Sequence, residues 1–302
     1  NLNSLHAMPE WDPGFVCKHP MPGFGCNIPE NIFLGFLFYV SAIISCCLLI
    51  FNIKKSKSKK AILDQTSLFW VFLTIFQVYR GTVALVPFHW TVTSFKIFFT
   101  GMDHILMFIP MCLVILILFD LLFTYRNPGT NAIIFFRSLF ILFLFTFLTL
   151  GIVLSIVDLQ NGSDPDASLS LWCACTDLIL AIFFALPAFS LLDAVTYPMV
   201  QPEDVCCVNF CKVGILAYVI IFCLRMLYNG THYFGINAIQ SWMTNQLAKT
   251  SDKANTQARL LSFFYYTLFD FIPSGLASIS VYLFKKHDMM FNENPYYTRQ
   301  SD

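Results

Sequence analysis

A chain of 302 residues in which 57% are hydrophobic and only 12% charged lies far from soluble domains, where about a quarter of positions carry charge. Mean hydropathy is +0.66, and no polar stretch is long enough for a separate soluble domain. The net charge of zero does not by itself point to a partner, and no nucleic-acid partner is expected.

Residues 1–30 form a polar leading segment. Cys17 and Cys26 stand there around Pro20, Pro22, Gly23 and Gly25. In an oxidising lumen this spacing favours a disulfide closing a small loop, with two unrelated thiols as the alternative. The chain opens at Asn1 rather than methionine, which fits either a removed signal peptide or an incomplete start.

Seven apolar stretches follow, each about 20 residues or longer, the length a helix needs to cross ~30 Å of hydrocarbon. Residues 31–53 carry no charge. The other six do: 67–88 holds Arg80, 97–123 holds Asp103 and Asp120, and 132–157 holds Arg137. Residues 169–192 hold Asp177, 212–234 hold Arg225, and 259–284 hold Asp270. A charge at that depth costs at least ~2.5 kcal/mol, so each is expected to face protein or water and to have a partner. The expected fold is all-α: a polytopic bundle of seven membrane spans over residues 31–286, with a tail at 287–302.

Lysine and arginine in the loops set orientation. Lys54, Lys55, Lys57, Lys59 and Lys60 form a compact basic loop expected in the cytoplasm. The amino terminus then lies outside or in a lumen, and the tail is cytoplasmic. Loop 158–168, with three aspartates and no basic residue, agrees. Lys249, Lys253 and Arg259 in the last outer loop disagree mildly. Asn161 heads a sequon in that acidic loop and is a candidate glycosylation site. The sequon at Asn229 falls inside the sixth span and reads as chance.

Counting along antiparallel helices places Arg80, Asp103, Asp177, Arg225 and Asp270 in one layer of the outer half. Asp120 and Arg137 form a second pair near the cytoplasm, across the turn at residues 126–129. The layers are expected to specify helix packing; alternatives are a polar pocket for a solute, proton or lipid headgroup, and a switch in a receptor-like bundle. His104, beside Asp103, reads as part of a capping pair at a helix entrance, with a proton-handling dyad as the alternative.

Known seven-span chemistries leave no trace. The last span has no lysine for a retinal Schiff base, and the six histidines never stand in the His-x-x-x-His spacing that clasps zinc. The third and seventh spans lack the triplet and tetrapeptide of rhodopsin-like receptors. Neither a Gly-rich phosphate loop nor a nucleophile elbow occurs. No enzyme, metal or cofactor is expected.

The seventh span carries a pattern. Tyr265-Tyr266-x-Leu268-x-Asp270-x-x-Pro273-Ser274, followed by an apolar run and Lys285-Lys286, resembles the closing signature of the tobamovirus multiplication protein family. Its plant members share that domain with animal lysosomal orphan seven-span proteins. Gln77-x-x-Arg80, Asp103, Asp120 and Phe222-x-x-Arg225 line up in order with further family positions. Asp270 stands where the family has glutamate, and Gln77 where it has asparagine. The resemblance implies a non-enzymatic protein of vacuolar, lysosomal or related membranes, with the plasma membrane as the alternative. It implies a receptor-like scaffold that recruits small GTPases or trafficking machinery at its cytoplasmic face. Lys54, Lys55, Lys57, Lys59 and Lys60 would then face that partner or anionic lipid. Two other functions stay open: a receptor or carrier for a small molecule or lipid in the charged layer, and a structural subunit of a membrane assembly.

Overall fold

The computed structural model describes residues 29–55, 64–85, 93–126, 130–161, 166–196, 205–233, 260 and 263–292. Among them there is no strand. The helices in chain order are α1 (Pro29–Lys55), α2 (Gln65–Leu85), α3 (Thr93–Arg126), α4 (Thr130–Asn161), α5 (Asp166–Thr196), α6 (Val205–Tyr233) and α7 (Ile272–Asn292). A π turn, Thr267–Phe271, leads into α7. Helix ends follow local chemistry. Pro29 and Glu30 open α1, where a missing N–H and a negative charge suit the positive end of the helix dipole. The Asp64 carbonyl accepts the first bond of α2 from the Leu68 N–H at 2.9 Å.

Six helices are long and apolar enough to cross a membrane, with apolar spans Pro29–Lys54, Gln65–Leu85, Met102–Phe123, Ile134–Leu154, Leu169–Ser190 and Lys212–Thr231. This is an integral, multi-pass helical membrane protein. Seven spans were expected. In the seventh region, the second half of α7 carries Lys285, Lys286, His287 and Asp288, and the helical stretch before it is interrupted by the π turn. That helix is as long as α2, but its charged end makes it less apolar than the other six.

Outward faces are apolar. Phe135 on α4 is 70% exposed, and Leu142, Phe145 and Ile43 are similarly bare, as surfaces in contact with acyl chains should be. Hydroxyls on that face are satisfied within the helix: Thr146 donates to the Leu142 carbonyl and Thr149 to that of Phe145. In hydrocarbon, no water would do it for them.

Helix α3 is the hub. It packs against α2, α4, α5 and α7, while α1 leans on α2 and α5 on α6. Its buried side chains include Met107, Phe108, Met111, Val114, Ile115 and Leu118. Phe38 of α1 meets Phe76 and Phe271 edge-on, at 6.3 and 5.5 Å between centroids. Tyr218 of α6 stacks on Phe184 of α5 at 3.8 Å.

Between its charged ends, residues 31–53 of α1 carry no charge, so it attaches to α2 through uncharged polar groups. The Gln77 amide donates to Ser41 Oγ at 2.8 Å and accepts from Ser45 Oγ at 2.9 Å. Tyr39 and Thr82 share a hydroxyl bond of 2.8 Å, and Asn52 donates to Ser67 at 2.8 Å.

Peripheral α4 is fastened to α5 by a close approach. Trp172 Nε1 donates to the Phe147 carbonyl at 3.1 Å, and its ring lies over Gly151, where an added Cβ would sit 2.4 Å from the indole. Gly151→Ala is therefore expected to lose about 1–3 kcal/mol, the range for overpacking. The control is Gly214→Ala, whose Cβ meets nothing within 4 Å and which should be neutral or slightly stabilising. Thermal unfolding of both variants in the same detergent decides.

Candidate functional site: a buried ionic network

Five charged side chains from five separate elements meet in the interior, all at most 8% exposed. Arg80 comes from α2, Asp103 from α3, Asp177 from α5, Arg225 from α6 and Asp270 from the π turn. Because each helix is apolar nearly all round, an ionic side chain has only the bundle axis to turn to, and that brings the five together.

The contacts run as a chain. Arg80 Nε lies 3.1 Å from Asp103 Oδ1, and Arg80 Nη2 donates to Asp270 Oδ2. The other oxygen of Asp270 is 3.7 Å from Arg225 Nη1, and Arg225 Nε is 3.6 Å from Asp177 Oδ2. Asn229, one turn beyond Arg225 on α6, donates to that same oxygen at 2.9 Å. Asp270 is thus the joint between two half-networks, Arg80 with Asp103 and Arg225 with Asp177.

Softer groups complete the coordination. The Arg80 guanidinium sits 4.2 Å from the centre of the Tyr266 ring, a cation–π contact that gains in strength away from water. Arg225 Nη1 donates to Met107 Sδ at 2.7 Å and to the Phe269 carbonyl at 3.2 Å. Among the described residues, three carboxylates face two guanidiniums, so one negative charge is in excess when all are ionised. The Asn229 amide partly offsets it by donating to Asp177.

The other residues singled out from the sequence fall around this centre or away from it. Tyr265 packs on Tyr228, Tyr266 and Phe269 with centroids 5.0, 5.2 and 4.9 Å apart. Pro273 and Ser274 are buried, and Ser274 Oγ donates to the Phe271 carbonyl at 2.8 Å. Asp120 and Arg137 make a separate pair, Nε to Oδ1 at 2.7 Å, with Arg137 44% exposed. Lys54 is exposed at the end of α1. Cys17, Cys26, Lys57, Lys59 and Lys60 lie outside the described residues, as do the side chains of Lys55 and Asn161.

Asp103 and His104 correct one expectation. They do not cap a helix entrance, because α3 starts at Thr93 and places them about three turns inside. Asp103 pairs with Arg80 instead, and His104 is partly buried beside it. The sequence reading also passed over Asn229, treated as a stray sequon, and Met107. A signal for Asn229 was present: it stands four residues after Arg225, on the same helix face.

Among the described residues, no three His, Cys, Asp or Glu side chains are grouped so as to hold a metal ion. No protein-family model matches this chain, and no curated protein matches it.

Proposed function

We propose that this chain is a non-enzymatic, receptor-like seven-span scaffold of an endomembrane and a distant member of the tobamovirus multiplication protein family. In this reading the π turn and α7 belong to the seventh span, the amino terminus is lumenal and the basic loop after α1 is cytoplasmic. The cytoplasmic face recruits small GTPases or other trafficking proteins, as the family resemblance implies.

One observation carries the reading. Arg80, Asp103, Arg225 and Asp270, four positions on which the resemblance rests, come from four different elements and belong to one contact chain. Gln77, a fifth, stands one turn from Arg80 and ties α1 to α2. A shared arrangement of spans would bring these aligned positions together; Asp120, also aligned, lies apart in its pair with Arg137. The alternative, a pocket for a small molecule or lipid among the same charges, has less support, because each of the five already contacts an opposite charge of the protein.

The test is capture of purified Arf-like and Rag-type GTPases by the chain in lipid nanodiscs. Changing Lys54, Lys55, Lys57, Lys59 and Lys60 together to glutamine is expected to weaken capture by at least about tenfold. Each lysine near an anionic lipid surface is worth ~1 kcal/mol, which sets the scale for an acidic partner face. Unfolding of the bundle should be unchanged. Full capture by the variant, or none by the unmodified chain, counts against the scaffold.

A further inference from the structure

The last helical stretch leaves α geometry where it meets the ionic network. In the π turn Thr267–Phe271, the Ile272 N–H reaches back to the Thr267 carbonyl, five residues earlier. Such turns inside helices concentrate at functional positions. Pro273 follows at once, and it has no N–H for the Phe269 carbonyl four residues before it. An orphaned carbonyl away from water is costly unless another donor arrives.

Arg225 of α6 is that donor. Its Nη1 meets the Phe269 carbonyl at 3.2 Å, stands 3.7 Å from Asp270 Oδ1 and contacts Met107 of α3. Its Nε faces Asp177 of α5. A single side chain thus replaces a missing backbone bond of the last helix while holding two other elements, α3 and α5. Just beyond the break, Ser274 and Ser278 bond to carbonyls of their own helix, a habit that bends helices.

We propose that the π turn is a hinge and that Arg225 is the latch that holds it closed. With the latch engaged, α7 is fixed against α6. When Arg225 leaves the Phe269 carbonyl and Asp270, α7 swings about the turn and moves the end that carries Lys285 and Lys286. The state of the buried network is thereby transmitted to the carboxyl-terminal end of the bundle. The device stands whether or not the chain recruits GTPases.

The experiment places genetically encoded spin labels at Tyr282 of α7 and Leu216 of α6, both exposed, and reads their distance distribution in lipid nanodiscs. The parent chain should give one narrow distribution. Arg225→Lys keeps the charge but cannot span the same set of acceptors, and should add a second, displaced component. Pro273→Ala restores the missing N–H, and in that background Arg225→Lys should broaden the distribution far less. No change on Arg225→Lys, or equal broadening in both backgrounds, overturns the latch. Pro273→Ala alone disturbs no charge and serves if the arginine variant does not fold. It should slow backbone hydrogen exchange across residues 267–275 by about tenfold, and unchanged exchange overturns the hinge.

Discussion

Replacing Asp270 with leucine is expected to destabilise the bundle by ~1–3 kcal/mol, the range found when buried donors lose an acceptor. Asp270 is 1% exposed and is the carboxylate that both Arg80 and Arg225 contact. Its loss leaves each guanidinium with one carboxylate, in a place where water cannot replace the other. Asp270→Asn, which keeps shape and some hydrogen bonding, should lose less. The comparison that gives the number meaning is Arg137→Met. The Asp120–Arg137 pair has a shorter N–O distance, 2.7 Å, yet Arg137 is 44% exposed, and exposed pairs contribute only ~0–1 kcal/mol. Burial, not distance, should set the ranking. Equilibrium unfolding in a mixed detergent system reads both, and equal losses would show that Asp270 is not the joint of a dry network.

Arg80→Met should be more damaging, ~3–5 kcal/mol, because it leaves a buried carboxylate without its counter-charge. It strands Asp103, removes one of the two contacts of Asp270, and uncovers the Tyr266 ring that lies 4.2 Å from the guanidinium. Arg80→Lys is not a mild version of this change. Arg80 addresses Asp103 through Nε and Asp270 through Nη2, two directions that a single ammonium cannot serve from one stem. Most of the loss should therefore persist with lysine. A lysine variant as stable as the parent in the same unfolding assay would show that only charge, not the guanidinium fork, matters at this position.

How far the fold could be read beforehand depends on what hydropathy encodes. Long apolar runs announce spans, and a charge within a span announces a partner; counting residues from each end placed five charges at one depth. The Asp120–Arg137 pair was legible because few residues separate its helices. Partner choice within the five-charge layer was not, because it depends on which way each side chain points around its helix. α4 and α5 are apolar on nearly every face, so periodicity carries little directional information. The start of α3 at Thr93 escaped for a related reason. Thr93, Ser94 and Lys96 look like loop, and that reading put Asp103 at an entrance rather than deep in the helix. Uncharged polar residues were the largest omission. Ser41 and Ser45 sit unmarked in an apolar run and Asn229 reads as a chance sequon, yet the serines hold α1 to α2 and Asn229 completes the Asp177 site. The π turn at Thr267–Phe271 has no sequence signature beyond the proline that follows it.

The most direct measurement is a double-mutant cycle on Arg80 and Asp270, with Arg80→Met and Asp270→Leu made singly and together and unfolded in the same detergent. If the two side chains meet inside the bundle, the double variant loses much less than the sum of the singles, with a coupling of about 2 kcal/mol or more. Losses that add to within about 0.5 kcal/mol, the behaviour of distant independent sites, would contradict the network.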